Sequence, residues 1–286
     1  MTNENRVSGL TLKILAIISM FVDHVTYVLI PPLLNGWFSD FISGYKVIAG
    51  PFAGLDLEAV YQIGRGFGRL SFPIFIFLLA EGFYHTRNRQ KYLLRLLIFA
   101  FISEIPFDLA LKKSFFYIRY QNVLFTFLLA GLAITFIELL MRIPSKNAYL
   151  KVLSIVLAFS IAALSIYSGN LLLTDYEGAG VAATLVMYFM GETGNGRVMR
   201  REVRNGREDI YEVTTLGFKL RRLIAFTIAV VILGVALNKI EFVALIAIIP
   251  IALYNGSKGR QRKYFFYIFY PAHFLFLYIV WRLIFL

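Results

Sequence analysis

The chain has 286 residues, of which 59% are hydrophobic and only 16% charged, and its mean hydropathy of +0.70 exceeds what a soluble domain of this length can bury. It therefore reads as an integral membrane protein. With no cysteine, disulfide scaffolds, thiolate nucleophiles and Cys-based metal sites are excluded. The net charge of +12 marks cytoplasmic loops rather than a nucleic-acid surface.

Taken in order, the apolar stretches able to cross roughly 30 Å of hydrocarbon fall at 10–30, 68–84, 91–111, 121–141, 149–168, 178–191, 217–237, 240–254 and 264–285. This is an all-α chain of about nine transmembrane helices, a single domain over 1–286, with 178–191 and 240–254 short for full spans. With the N-terminus inside, 21 of the 29 Lys and Arg residues fall on cytoplasmic segments. That bias follows the positive-inside rule and places the C-terminus outside. The first stretch is not a cleavable signal, because Asp23 and His24 interrupt the apolar run and no small-residue cleavage site follows.

Pro31 and Pro32 are expected to stop the first helix, and the aromatic and glycine-rich residues 31–67 to form an ordered loop on the outer interface. Residues 192–216 read as a cytoplasmic loop holding a β-hairpin, since alternating residues flank Asn205-Gly206, a dipeptide that tolerates the positive φ of a type I′ turn. No internal repeat is visible.

Charged residues inside apolar spans usually face a cavity or a partner. Lys13 and His24 are eleven positions apart, three turns plus about 20°, and so share one face of the first helix. Asp23 stands beside His24, where it could fix a tautomer or stabilise an imidazolium. Alternatively, Lys13 snorkels to the headgroups and Asp23 pairs with a basic residue for packing. His85, with Arg87 at the cytoplasmic mouth of the second span, could meet an anionic ligand or lipid phosphates. His273 follows Tyr270-Pro271, where the proline leaves a carbonyl without its helical partner; it serves either structure or the cavity. Arg69, Glu104, Asp108, Gln121, Asn122, Asp175 and Glu177 cluster toward the outer ends, with Glu104-Ile105-Pro106-Phe107-Asp108 breaking a helix. Together they suggest a polar vestibule above His24. There is no HExxH, GxSxG or Walker loop, and Gly64-Arg65-Gly66-Phe67-Gly68 follows no strand and precedes a membrane helix, which argues against a nucleotide loop.

At these residues the chain resembles the TraX family of membrane acetylases, named for a pilin N-terminal acetylase. The likeness runs through Leu12-Lys13-Ile14, Met20-Phe21-Val22-Asp23-His24, Arg69-Leu70-Ser71-Phe72-Pro73, Glu81-Gly82-Phe83 with His85-Thr86-Arg87, and Ser103-Glu104-Ile105-Pro106-Phe107-Asp108. It continues in Gln121-Asn122-Val123, Asp175-Tyr176-Glu177-Gly178, Tyr254-Asn255-Gly256 and Tyr270-Pro271-Ala272-His273. The Lys13-to-His24 spacing is also similar to the basic-residue-to-His motif of the wider transmembrane acyltransferase superfamily.

The resemblance implies acetyl transfer from cytoplasmic acetyl-CoA to an acceptor at the outer face of a bacterial cytoplasmic membrane, without a metal. Lys13, His85, Arg87 and Lys263 would hold the CoA phosphates. His24, oriented by Asp23, would be the general base or acetyl carrier. Arg69, Glu104, Asp108, Gln121, Asn122, Asp175 and His273 would bind the acceptor, whether a peptide or pilin amine, a glycan hydroxyl or a lipid headgroup. The rival readings are a secondary transporter that relays protons through Asp23 and His24, and a non-catalytic assembly or immunity protein.

Overall fold

The computed structural model describes residues 7–35, 57–143, 147–193, 197–204, 207–257 and 263–286; at 34–35, 197–204, 207–214 and 263 only the backbone is described. Ten α-helices account for most of it: α1 (Gly9–Asn35), α2 (Leu57–Gly68), α3 (Ser71–His85), α4 (Arg89–Lys112), α5 (Val123–Met141), α6 (Ala148–Leu171), α7 (Glu177–Val186), α8 (Leu216–Ala236), α9 (Ile248–Ala252) and α10 (Lys263–Phe285). A π-helical turn, Met187–Glu192, extends α7, and a 3₁₀ segment, Lys239–Ala247, leads into α9. Strands β1 (Arg197–Arg204) and β2 (Arg207–Thr214) pair antiparallel with Arg204 opposite Arg207; the Asn205-Gly206 turn lies outside the described residues.

Five described segments are long and apolar enough to cross a membrane: Gly9–Leu33, Leu57–His85, Val123–Met141, Ala148–Leu171 and Tyr264–Phe285. They mark a multi-pass membrane protein. Asparagines start several helices, because their side-chain oxygen accepts from an otherwise unpartnered amide of the first turn. Asn88 receives Lys91 N at 2.8 Å, Asn122 receives Leu124 N at 3.0 Å and Asn147 receives Tyr149 N at 2.9 Å. The pillar of the bundle is α3, with Phe72, Ile74, Ile76, Phe77, Ala80 and Phe83 all buried. By contrast α6 buries only Ala158 and Gly169; its remaining apolar surface is suited to lipid.

Three local expectations are corrected. Pro31 and Pro32 lie inside α1, which runs on to Asn35. Proline removes its own amide from the ladder without preventing the following turn from closing near a helix end. Residues 57–67, expected as loop, belong to α2, where Gly64 and Gly68 serve packing and Gly66 is accommodated without breaking the helix. Nor does Pro106 break α4, which continues to Lys112. Residues 36–56 of the expected outer loop lie outside the described residues.

Candidate active site

The site begins with how α1 and α2 meet. Gly64 and Gly68 are one turn apart and both buried. A Cβ at Gly64 would overlap Thr26, and one at Gly68 would overlap Asp23. Small residues at this spacing let two helix backbones approach closely without a side chain between them. Ser19 fastens the contact by donating its hydroxyl to Phe67 O at 2.7 Å.

The same packing carries Arg65 and Arg69, also one turn apart, onto the Asp23 carboxylate. Arg65 Nη1 lies 2.7 Å from Asp23 Oδ1, and Arg69 Nη2 lies 2.8 Å from both Asp23 oxygens. Arg69 Nη1 reaches Glu241 Oε1, from the 3₁₀ segment, at 2.8 Å. Two cations and two anions close a buried cluster whose desolvation is offset by mutual pairing. Arg65 also covers the ring of Tyr27 at 4.9 Å.

His24 departs in another direction. Its Nδ1 lies 2.8 Å from His273 Nε2 on α10. The two rings are nearly coplanar at 18° with centres 5.0 Å apart, the geometry of an in-plane N–H···N bond. The Nδ1 of His273 in turn donates to the Phe269 carbonyl at 3.0 Å. The expected orientation of His24 by Asp23 is therefore corrected: the carboxylate is engaged by two arginines and the imidazole by a second imidazole. A helix turns about 100° per residue, so adjacent positions address different neighbours.

Two cavities flank α1. The larger, about 560 Å³, has Gly9, Lys13, Ile17 and Met20 along one wall, with Glu81, His85, Arg87 and Arg95 also lining it. A smaller chamber of about 120 Å³ is lined by Met20, Asp23, His24 and Tyr27 of α1, together with Arg65, Arg69, Tyr120, Asp175 and Tyr176. Met20, Phe75, Val123, Phe127 and Tyr270 line both. The two cavities thus meet across one apolar wall, with Lys13 on one side and His24 on the other. Lys13 Nζ lies over the Phe266 ring at 5.3 Å, and His85 Nε2 stands 4.0 Å from Glu81 Oε1. The side chain of Lys263 lies outside the described residues.

The turn before α7 supplies the far wall of the small chamber. Leu173, Tyr176 and Glu177 hold positive φ of 52°, 63° and 48°, a region costly for residues with a Cβ. That turn is held by Gln121 N donating to Leu173 O at 3.0 Å and Asp175 N donating to Gln121 O at 2.7 Å. It stacks Tyr176 on Phe72, ring centres 3.6 Å apart, and sets Asp175 Oδ1 2.8 Å from the Tyr120 hydroxyl. Burial pushes the Asp175 carboxyl up to about 6, against the opposing pull of the Tyr120 hydrogen bond.

Of the expected acceptor-binding residues, Arg69 and Asp175 line this chamber, and His273 stands behind His24. Four others do not reach either cavity. Glu104 accepts from Asn122 N at 3.3 Å and from its side-chain amide, and Asp108 accepts from Tyr117 N at 2.7 Å. Gln121 donates to Ile118 O through its side chain. Glu104 and Asp108 thereby tie α4 to Asn122 and to the loop before α5, while Glu104 Oε1 and Asp108 Oδ1 are buried without a hydrogen-bond partner among the described residues. Arg65, Tyr27, Tyr120, Tyr176 and Glu241 were not anticipated as site residues. The four-residue spacing of Gly64 with Gly68 and of Arg65 with Arg69 was the available signal.

The TraX protein family matches this chain over residues 8–203 and 211–281. The chain belongs to that family. A protein of Dichelobacter nodosus described as "Probable fimbrial assembly protein FimC, serogroup H1" is 29% identical over 276 residues, covering 93% of this chain and 92% of its own. No solved structure matches.

Proposed function

We propose that this chain transfers an acetyl group from cytoplasmic acetyl-CoA to an acceptor at the outer face of the cytoplasmic membrane. The observation that carries this reading is the pair of cavities meeting at Met20, Phe75, Val123, Phe127 and Tyr270, with cationic side chains around one and His24 in the other. Lys13, His85, Arg87 and Arg95 line a cavity of about 560 Å³, a donor set suited to phosphates with room for a thioester arm. In this reading the N-terminus is inside, the C-terminus outside, and the chain crosses nine times with the β1–β2 hairpin cytoplasmic. Reporter fusions at Leu286 and within Asn205-Gly206 should then report opposite sides.

His24 takes the proton of the acceptor hydroxyl or amine as that heteroatom attacks the acetyl carbonyl carbon. The carbon–sulfur bond breaks, and His24 returns the same proton to the departing sulfur. Arg65 and Arg69, held in place by Asp23 and Glu241, line the chamber, where a guanidinium N–H could donate to the carbonyl oxygen as negative charge develops on it. The fimbrial name of the Dichelobacter relative favours a fimbrial-subunit amine among the acceptor classes. The transporter alternative needs Asp23 and His24 as one relay, whereas each is bonded elsewhere.

The test is single-turnover transfer from labelled acetyl-CoA by purified protein. His24→Ala should remain inserted and folded while losing about 10²–10⁴-fold in rate, the usual contribution of a general base. A near-normal rate would move the chemistry to another residue.

A further inference from the structure

Hydrogen-bond bookkeeping through the two histidines fixes where each proton sits. The Phe269 carbonyl can only accept, so His273 Nδ1, at 3.0 Å, carries a hydrogen. In a neutral imidazole the other nitrogen is then bare, so His273 Nε2 accepts from His24 Nδ1 at 2.8 Å. The remaining nitrogen of His24, Nε2, holds its lone pair uncommitted and has no partner among the described residues. His273 itself lines neither cavity, while His24 lines the small chamber. The second imidazole thus stands behind the first.

We propose that His273 is a positioning residue that sets the tautomer of His24, leaving Nε2 as the proton-accepting nitrogen on the chamber side. The inference deepens the acetyl-transfer reading by assigning the base its orienting partner, the role the sequence suggested for Asp23. When His24 Nε2 takes a proton, the Nδ1–H···Nε2 bond becomes charge-assisted and strengthens, so His273 stabilises the imidazolium as it forms. An imidazole does this without adding a further carboxylate beside Asp23 and Asp175, which both line the chamber, and Asp23 is already shared by Arg65 and Arg69. Phe269 and Phe274 hold the arrangement: Phe269 stacks on His273 at 5.2 Å and 8°, and the Phe274 ring centre lies 4.4 Å from that of His24.

The chain has only three histidines, so nitrogen NMR of histidine-labelled protein in lipid nanodiscs can be assigned with single substitutions. The wild-type protein should show His24 and His273 both protonated at Nδ1, with scalar coupling across the N–H···N bond. In His273→Leu the His24 signal should move toward the Nε2–H form, and single-turnover transfer should fall at least tenfold with the KM for acetyl-CoA unchanged. His273→Gln, whose amide oxygen can accept from His24 Nδ1–H, should restore most of that rate. An Nε2–H tautomer at His24 in the wild-type protein overturns the inference, even if His273→Leu fails to fold, and so does an unaltered His24 spectrum in a folded His273→Leu. Wild-type protein with the expected tautomers and no acetyl transfer would instead refute the proposed activity and leave the positioning role standing.

Discussion

Asp23 and His24 are consecutive in α1, yet the carboxylate ends 2.7 Å from Arg65 and 2.8 Å from Arg69 while the imidazole ends 2.8 Å from His273. The first residue locks α1 to α2 and the second ties it to α10. Neighbours in sequence therefore serve separate purposes.

Asp23→Asn should accordingly act on stability. It removes the anion shared by two largely buried guanidiniums, and breaking such a pair typically costs about 3–5 kcal/mol. The expected result is a clearly lower thermal midpoint in detergent with the His24 nitrogen spectrum unchanged. A shifted His24 tautomer with normal stability would show instead that the carboxylate orients the base.

The close approach of α1 and α2 predicts an ordered series of glycine substitutions. Gly68→Ala and Gly64→Ala should both lower the thermal midpoint, because the new methyl meets Asp23 or Thr26 directly. Gly66→Ala is the control, since nothing stands within 4 Å of its Cβ position. Replacing a helical glycine there should be neutral or stabilising by up to about 1 kcal/mol. Equal effects at all three positions would rule out helix contact as the cause.

Much of the site was legible in the sequence because helical periodicity is a strong signal. The stripe Gly9, Lys13, Ile17, Met20, His24, Tyr27 reads directly as one face of α1, and it lines the two cavities in turn. The partners of that face were less accessible. Arg69 paired with Glu241 spans 172 positions, and His24 with His273 spans 249, and no local rule selects among distant candidates. Glycine misled for a physical reason: Gly64, Gly66 and Gly68 weaken an isolated helix, but tertiary contact reverses the preference where two backbones touch. The polar run Glu104, Asp108, Gln121, Asn122 lines neither cavity, and its sequence could not tell this apart, because hydrogen bonds that close a loop and hydrogen bonds that bind a ligand draw on the same residue types.

The proposed docking of acetyl-CoA makes a kinetic prediction. Lys13→Ala and Arg87→Ala should raise the KM for acetyl-CoA more than they lower kcat, since phosphate contacts far from the reacting carbon bind ground and transition states alike. Titration with labelled acetyl-CoA checks this independently of turnover. Unchanged donor binding in both variants would assign these cations to lipid phosphates.

Asp175 gives a pH signature. Its carboxyl is raised from 3.8 to about 6 in the folded protein, chiefly by burial, so the folded state holds the proton more tightly than the unfolded chain. Stability from this group is present below 3.8 and is lost as pH rises from there to about 6. Thermal midpoints measured across that window should fall with pH by a component that Asp175→Asn removes. An identical slope in the variant would place the titration elsewhere.

The wall shared by the two cavities bears on the membrane itself. In the proposed orientation, Met20, Phe75, Val123, Phe127 and Tyr270 separate a compartment facing the cytoplasm from one facing outward. Most of the membrane potential would then fall across a partition about one side chain thick, where moving one elementary charge through 100 mV is worth about 2.3 kcal/mol. Under the proposed acetyl transfer, the seal would have to pass a neutral acyl group without passing ions. Bulky apolar side chains meet both demands, because they exclude water and yet can be displaced by another apolar group. Truncating Met20 and Phe127 together would therefore open this partition to protons.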